Sequence, residues 1–72
     1  MKALVITVSD RVSAGEAEDR SGPAAAARLA GAGIDADIEV IPDGIGNVSA
    51  ALRTAIGAGI PLVVTTGGTG FG

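Results

Sequence analysis

Three short stretches of this 72-residue chain carry residue types that could do chemistry. In the first, Ser9-Asp10-Arg11 leaves an apolar run and Asp19-Arg20-Ser21 closes the polar segment that follows. Hydroxyls, carboxylates and guanidinium groups in that combination suit a polar, phosphorylated molecule. The second is Ile41-Pro42-Asp43-Gly44, where a carboxylate can hold magnesium between phosphates or orient a reacting hydroxyl. Pro-Asp-Gly is equally strong turn chemistry. The third runs from Thr65 to Gly72, with glycines at 67, 68, 70 and 72. Glycines after an apolar run let backbone approach a ligand and present consecutive N–H groups, which bind anions when a helix N-terminus follows. Gly67 and Gly72 have the outer spacing of a phosphate loop, and Gly68-x-Gly70 could begin a dinucleotide fingerprint. Both patterns are incomplete. Each stretch also has a plainer reading: Asp19 or Ser21 caps a helix, Asp43 makes a turn, and the glycines lead out of a strand.

Composition narrows the chemistry. The chain has no cysteine and no histidine, which removes disulfides, thiolate or imidazole metal ligands and Ser–His or Cys–His nucleophile pairs within these residues. Any catalysis falls to carboxylates, hydroxyls and backbone. Five basic residues against eight acidic ones give a net charge of −3, without a basic cluster, so no nucleic-acid partner is expected. No apolar segment approaches the ~20 residues of a membrane span, and no cleavage pattern follows the first apolar run. The expected location is the cytoplasm, with no membrane partner. A chain of this size buries only about 60% of its unfolded surface, so it forms one domain at most, with a small core.

The elements that would position these stretches alternate. Ala3–Val8, "ALVITV", is a continuous apolar and β-branched run, as in a strand buried on both faces of a parallel sheet. Ser21-Gly22-Pro23 marks a helix start, with Ser21 or Gly22 as N-cap, and "PAAAARLA" continues it to Gly31 and Gly33. "DADIEVIPD" alternates Ile38 and Val40 against Asp37 and Glu39, the pattern of a half-buried strand near an edge. Val48, Leu52, Ala55 and Ile56 share one face of a second helix, and "LVVTT" is a third strand suited to a sheet interior. The expected fold is α/β: a three-layer parallel sheet with helices on both faces, in βαβαβ order. In such sheets ligands lie beyond the carboxyl ends of the strands, where all three polar stretches fall.

"VSDR" after the first strand, "DRSGP" opening the first helix, "IPD" after the second strand and "TTGGTGFG" after the third occur in that order. In this register they strongly resemble the molybdopterin-binding domain of molybdenum cofactor biosynthesis proteins, most nearly its adenylyltransferase branch, which Thr69 favours over the molybdenum-insertion and competence-damage branches. The resemblance covers the whole chain and about the first half of the family domain, so residues 1–72 are expected to be its N-terminal part. It implies Mg-ATP-dependent adenylylation of molybdopterin, releasing pyrophosphate, in a homotrimer. Carried over by position, Ser9, Asp10, Asp19, Ser21, Thr66, Gly67, Gly68, Thr69 and Gly70 match substrate-site residues. Asp43 matches a catalytic, magnesium-associated carboxylate. The family often has a second acidic residue where this chain has Gly44, which weakens the metal assignment. Two alternatives stand beside this reading: a non-catalytic pterin-binding module, and an unrelated phosphate- or nucleotide-binding α/β protein. Because the family's further catalytic residues follow the glycine loop, these 72 residues alone are expected not to perform the reaction.

Overall fold

A computed structural model describes residues 1–67; Gly68, Thr69 and Gly70, expected at the site, lie outside the described residues. Three strands alternate with helices: β1 (Lys2–Val8), a short α1 (Asp10–Ser13), α2 (Ser21–Gly31), β2 (Asp35–Ile41), α3 (Ile45–Gly57) and β3 (Leu62–Thr66). All pairing is parallel and the strand order is β2-β1-β3. The first crossover, through α2, runs from β1 to β2, and the second, through α3, runs back from β2 past β1 to β3, so right-handed connections in opposite lateral directions put α2 and α3 on opposite faces of the sheet. The expected three-layer α/β architecture is the one observed.

The continuous apolar run makes β1 the central strand. Val5 and Ile6 are fully buried and point to opposite faces, as successive strand residues must. On the α3 face Ile6 and Val8 pack with Ile41 and Ala51, bordered by Leu4, Val48, Leu52 and Val63. On the α2 face Ala3, Val5 and Thr7 are all buried. The alternating run forms β2, an edge strand whose exposed Asp35 and Asp37 both bind Lys2 at 3.2 Å. The hydrogen bond to Asp35, then that to Asp37, raises the Lys2 pKa above its usual 10.5, although so exposed a pair adds little stability.

Two sequence expectations, the N-cap of α2 and the start and buried face of α3, are corrected, and the structure adds detail at α1 and β3. The polar stretch after β1 begins with a helical turn, α1, because Ser9 Oγ accepts from Val12 N at 3.3 Å and caps it. Neither Ser21 nor Gly22 is the N-cap of α2: Arg20 holds that position without a side-chain bond, and the Asp19 carboxylate accepts from Gly22 N at 3.0 Å. Helix α3 starts at Ile45, and its buried residues are Ala51 and Ala55, while Ile56 is 72% exposed. A spacing of i, i+4, i+7, i+8 spreads wider than the strip that touches the sheet, so small alanines fill it and Ile56 falls outside. Finally, β3 has the composition of an interior strand but pairs only with β1 among the described residues, and its apolar side chains are half-buried, the open edge expected when the sequence supplies only two other strands.

Central burial makes Ile6 the test of this core. Ile6→Ala should lower the unfolding free energy by about 2–5 kcal/mol through lost transfer energy and a residual cavity. Urea denaturation measures it; a change below about 0.5 kcal/mol, as at a surface site, would contradict the central placement of β1.

Candidate functional site

The carboxyl ends of the three strands form one rim, and two polar assemblies occupy it. The first lies between β1, β3 and the start of α2. Thr7 and Thr66 are register partners in adjacent strands. Thr7 is only 2% exposed, so its hydroxyl needs partners inside the protein. It donates to Asp19 Oδ2 at 3.0 Å and accepts from Thr66 Oγ1 at 3.3 Å. Thr66 Oγ1 lies 2.9 Å from Ser21 Oγ, on the exposed first residue of α2. Asp19 spends its other oxygen on Gly22 N. One carboxylate therefore anchors both the helix start and a line of three hydroxyls ending at the rim surface.

Close approach makes this possible. Gly22 is buried, and a Cβ there would collide with Asp19 Oδ2 and come within 2.6 Å of Thr7 Oγ1. Gly67, the first residue beyond β3, has φ +71° and leaves room for a Cβ only 2.9 Å from the Val8 carbonyl oxygen. Left-handed backbone and this contact both require glycine.

The second assembly lies between β1 and β2. Ser9 N donates to Ile41 O at 2.9 Å, carrying the β1–β2 ladder one residue past the strand. Asp10 Oδ1 accepts from Asp43 N at 2.9 Å, which draws the two loops together and brings two acidic residues to the same rim. Asp43 Oδ1 accepts from Gly44 N at 2.8 Å, and its carbonyl accepts from Asn47 Nδ2 at 3.0 Å. The turn chemistry expected of Pro-Asp-Gly is thus present, yet Oδ2 of both Asp10 and Asp43 has no hydrogen-bond partner among the described residues. No group of three or more potential metal-binding side chains forms there either. Magnesium is ordinarily held by one or two carboxylates with substrate phosphates and water, and two adjacent loops offering one free carboxylate oxygen each fit that mode.

Ser9, Asp10, Asp19, Ser21, Asp43, Thr66 and Gly67 consequently share one edge of the sheet. Their roles differ. Ser9 and Asp19 direct side-chain oxygens at backbone N–H groups, whereas Ser21 is exposed and Asp43 keeps one oxygen available. Sequence reasoning missed Thr7 and Asn47. A hydroxyl near the end of an otherwise apolar strand was the only available signal for Thr7, and its pairing with Thr66 depends on strand register. Among the described residues no enclosed cavity forms, so the rim is an open surface.

Fold and rim together define a doubly wound α/β domain with a polar ligand edge at its strand termini. The chain belongs to the family described as "probable molybdopterin binding domain", whose model matches residues 4–72. It is 47% identical over 67 residues to the molybdopterin adenylyltransferase of Pyrococcus furiosus, covering 93% of this chain and 40% of that protein. It is 46% identical over 71 residues to the molybdenum cofactor biosynthesis bifunctional protein of Synechococcus elongatus, covering 97% of this chain and 22% of that one. A molybdopterin biosynthesis protein from Mycobacterium abscessus has the same fold, with a TM-score of 0.89 and 39% identity across 99% of this chain and 45% of its own. The chain spans less than half the length of these relatives. No described helix is long and apolar enough to cross a membrane.

Steric limits at the two glycines give a direct test of the rim. Gly22→Ala and Gly67→Ala should each cost about 1–3 kcal/mol of stability, from overpacking at the first and from overpacking with backbone strain at the second. Thermal or urea melts read the loss. A Gly22→Ala protein as stable as the parent would mean that α2 does not lie this close to Thr7 and Asp19.

Proposed function

We propose that this chain supplies the N-terminal part of a molybdenum cofactor biosynthesis domain that binds molybdopterin and adenylylates it with ATP. In this reaction an oxygen of the pterin's terminal phosphate attacks the α-phosphorus of ATP. The new P–O bond joins AMP to the pterin, the α–β bridging bond breaks, and pyrophosphate leaves with its electron pair. The 47% identity to a protein named molybdopterin adenylyltransferase is the observation that carries this reading. The gathering of Ser21, Thr66, Gly67, Asp10 and Asp43 at one rim supports it by offering two distinct regions.

On the β3 side, Thr66 and Ser21 would grip the substrate, while Gly67 lets the chain turn tightly over the end of β1. Gly68, Thr69 and Gly70, outside the described residues, would belong to the same substrate site by their match to the family motif. On the β2 side, Asp10 fixes the Asp43 backbone, and Asp43 presents a free oxygen towards the phosphates or their magnesium ion. Magnesium, when bound with ATP, would neutralise charge that builds on the phosphate oxygens. Phosphoryl-type transfer asks the protein chiefly for positioning and charge stabilisation, which suits a rim of fixed backbone donors and carboxylates with no nucleophile of its own. The domain would act in a homotrimer in the cytoplasm.

The second reading, a pterin-binding module without catalysis, draws on one observation: Asp43 already serves its own turn through Gly44 N, and no second carboxylate follows it. Asp43→Asn in the full-length protein separates the two. It should lower adenylyl transfer by about 10²-fold or more while pterin affinity changes little, since the carboxylate works on developing charge. Equal losses of rate and affinity would reject this role, and a full-length parent that binds pterin but forms no AMP-pterin would select the second reading. The isolated 72 residues should show no turnover in the same assay; turnover near that of the full-length protein would refute the division of the site proposed here.

A further inference from the structure

The hydroxyl line at the β3 side of the rim has a direction, and the direction decides what Ser21 can recognise. A carboxylate only accepts hydrogen bonds, while a hydroxyl has one hydrogen to give. Thr7 gives its hydrogen to Asp19 Oδ2 at 3.0 Å, so towards Thr66 it can only accept. Thr66 must then donate to Thr7 across the 3.3 Å link, which leaves it able only to accept from Ser21 at 2.9 Å. The opposite polarity would set the lone pairs of Thr7 and Thr66 against each other beside a strand residue that is 98% shielded from water, a costly arrangement. Asp19 cannot turn away, because Gly22 N holds its other oxygen at 3.0 Å and Gly22 is itself buried against the carboxylate.

We propose that the Asp19–Thr7–Thr66 relay fixes Ser21 as a hydrogen-bond acceptor, so that Ser21 selects a heterocycle edge bearing N–H donors and disfavours a phosphate oxygen. This rests on the proposed function, and within it assigns Ser21 to the ring of the substrate instead of its phosphate. Asp19 and Thr7 are positioning residues in this scheme. Neither needs to touch the ligand.

Reversing the relay is the test. In Asp19→Asn, the amide oxygen must stay on Gly22 N, so the NH2 group turns to Thr7. Thr7 then donates to Thr66, Thr66 donates to Ser21, and the Ser21 hydrogen points outward. Calorimetric titration of the full-length protein with pterin, adenosine and pyrophosphate reads the consequence. Ser21→Ala should bind the ring ligand about tenfold more weakly with pyrophosphate unaffected, the size of one lost hydrogen bond. Asp19→Asn should weaken the same ring ligand and tighten pyrophosphate. Whether pterin or adenosine responds tells which ring Ser21 meets. Thr7→Val, which keeps the shape and cuts the relay, should narrow the preference of ring over pyrophosphate, whereas Thr7→Ser should restore it; this pair serves if Asp19→Asn melts below the assay temperature. Ring affinity unchanged by both Ser21→Ala and Thr7→Val, or a loss confined to pyrophosphate, overturns the assignment while leaving the proposed function intact. A parent that binds neither ring overturns both.

Discussion

The carboxyl rim depends on the Thr7 hydroxyl, a polar group buried in the central strand that must find its partners within the protein. Its hydrogen goes to Asp19, and its lone pair receives Thr66. Burial makes leaving either unmade expensive, by about 1–3 kcal/mol for an unsatisfied group. That one requirement joins three elements: β1, the third strand through Thr66, and the start of α2 through Asp19 and Gly22. It also explains why the second residue of the helix is so small. Gly22 is the space through which a carboxylate and a hydroxyl meet.

The rim is divided by chemistry as well as by position. Hydroxyls gather between β1 and β3, carboxylates between β1 and β2. This division follows from the β2-β1-β3 order, since the loop leaving β1 runs past both neighbours and contributes Ser9 and Asp10 to one side and Asp19 and Ser21 to the other. A single loop therefore supplies both halves of the rim. With a net charge of −3 and no basic cluster, the overall field of the chain does not attract anions.

Much of this was legible in the sequence because the relevant signals are local. A continuous apolar and β-branched run marked β1, strict alternation marked β2 as an edge, and the loops after each strand carried the polar residues that reach the rim. What escaped reading depends on distance in space. Ser9 as the cap of α1 and Arg20 at the N-cap position of α2 require knowing where the backbone turns, although the Asp19 side chain was already a capping candidate. Thr7 looked like one more strand former, and only pairing with Thr66, fifty-nine residues away, reveals its hydroxyl as a junction. Ile56 was misjudged because helical spacing identifies an apolar arc but not which part of it the sheet covers.

The facing threonines also bear on fidelity of folding. Along β3, Leu62, Val63 and Val64 are nearly interchangeable to a neighbouring strand, and a two-residue slip against β1 would keep every side chain on its original face. Apolar matching alone would hardly distinguish the two alignments. After such a slip Thr7 would lie beside Val64 and lose the hydroxyl that donates to it, forfeiting about 0.5–1.5 kcal/mol for that bond. The contact to Ser21 would go as well. One threonine near the end of each of two largely apolar strands thus acts as an alignment mark, selecting one sliding position from several that hydrophobicity would accept.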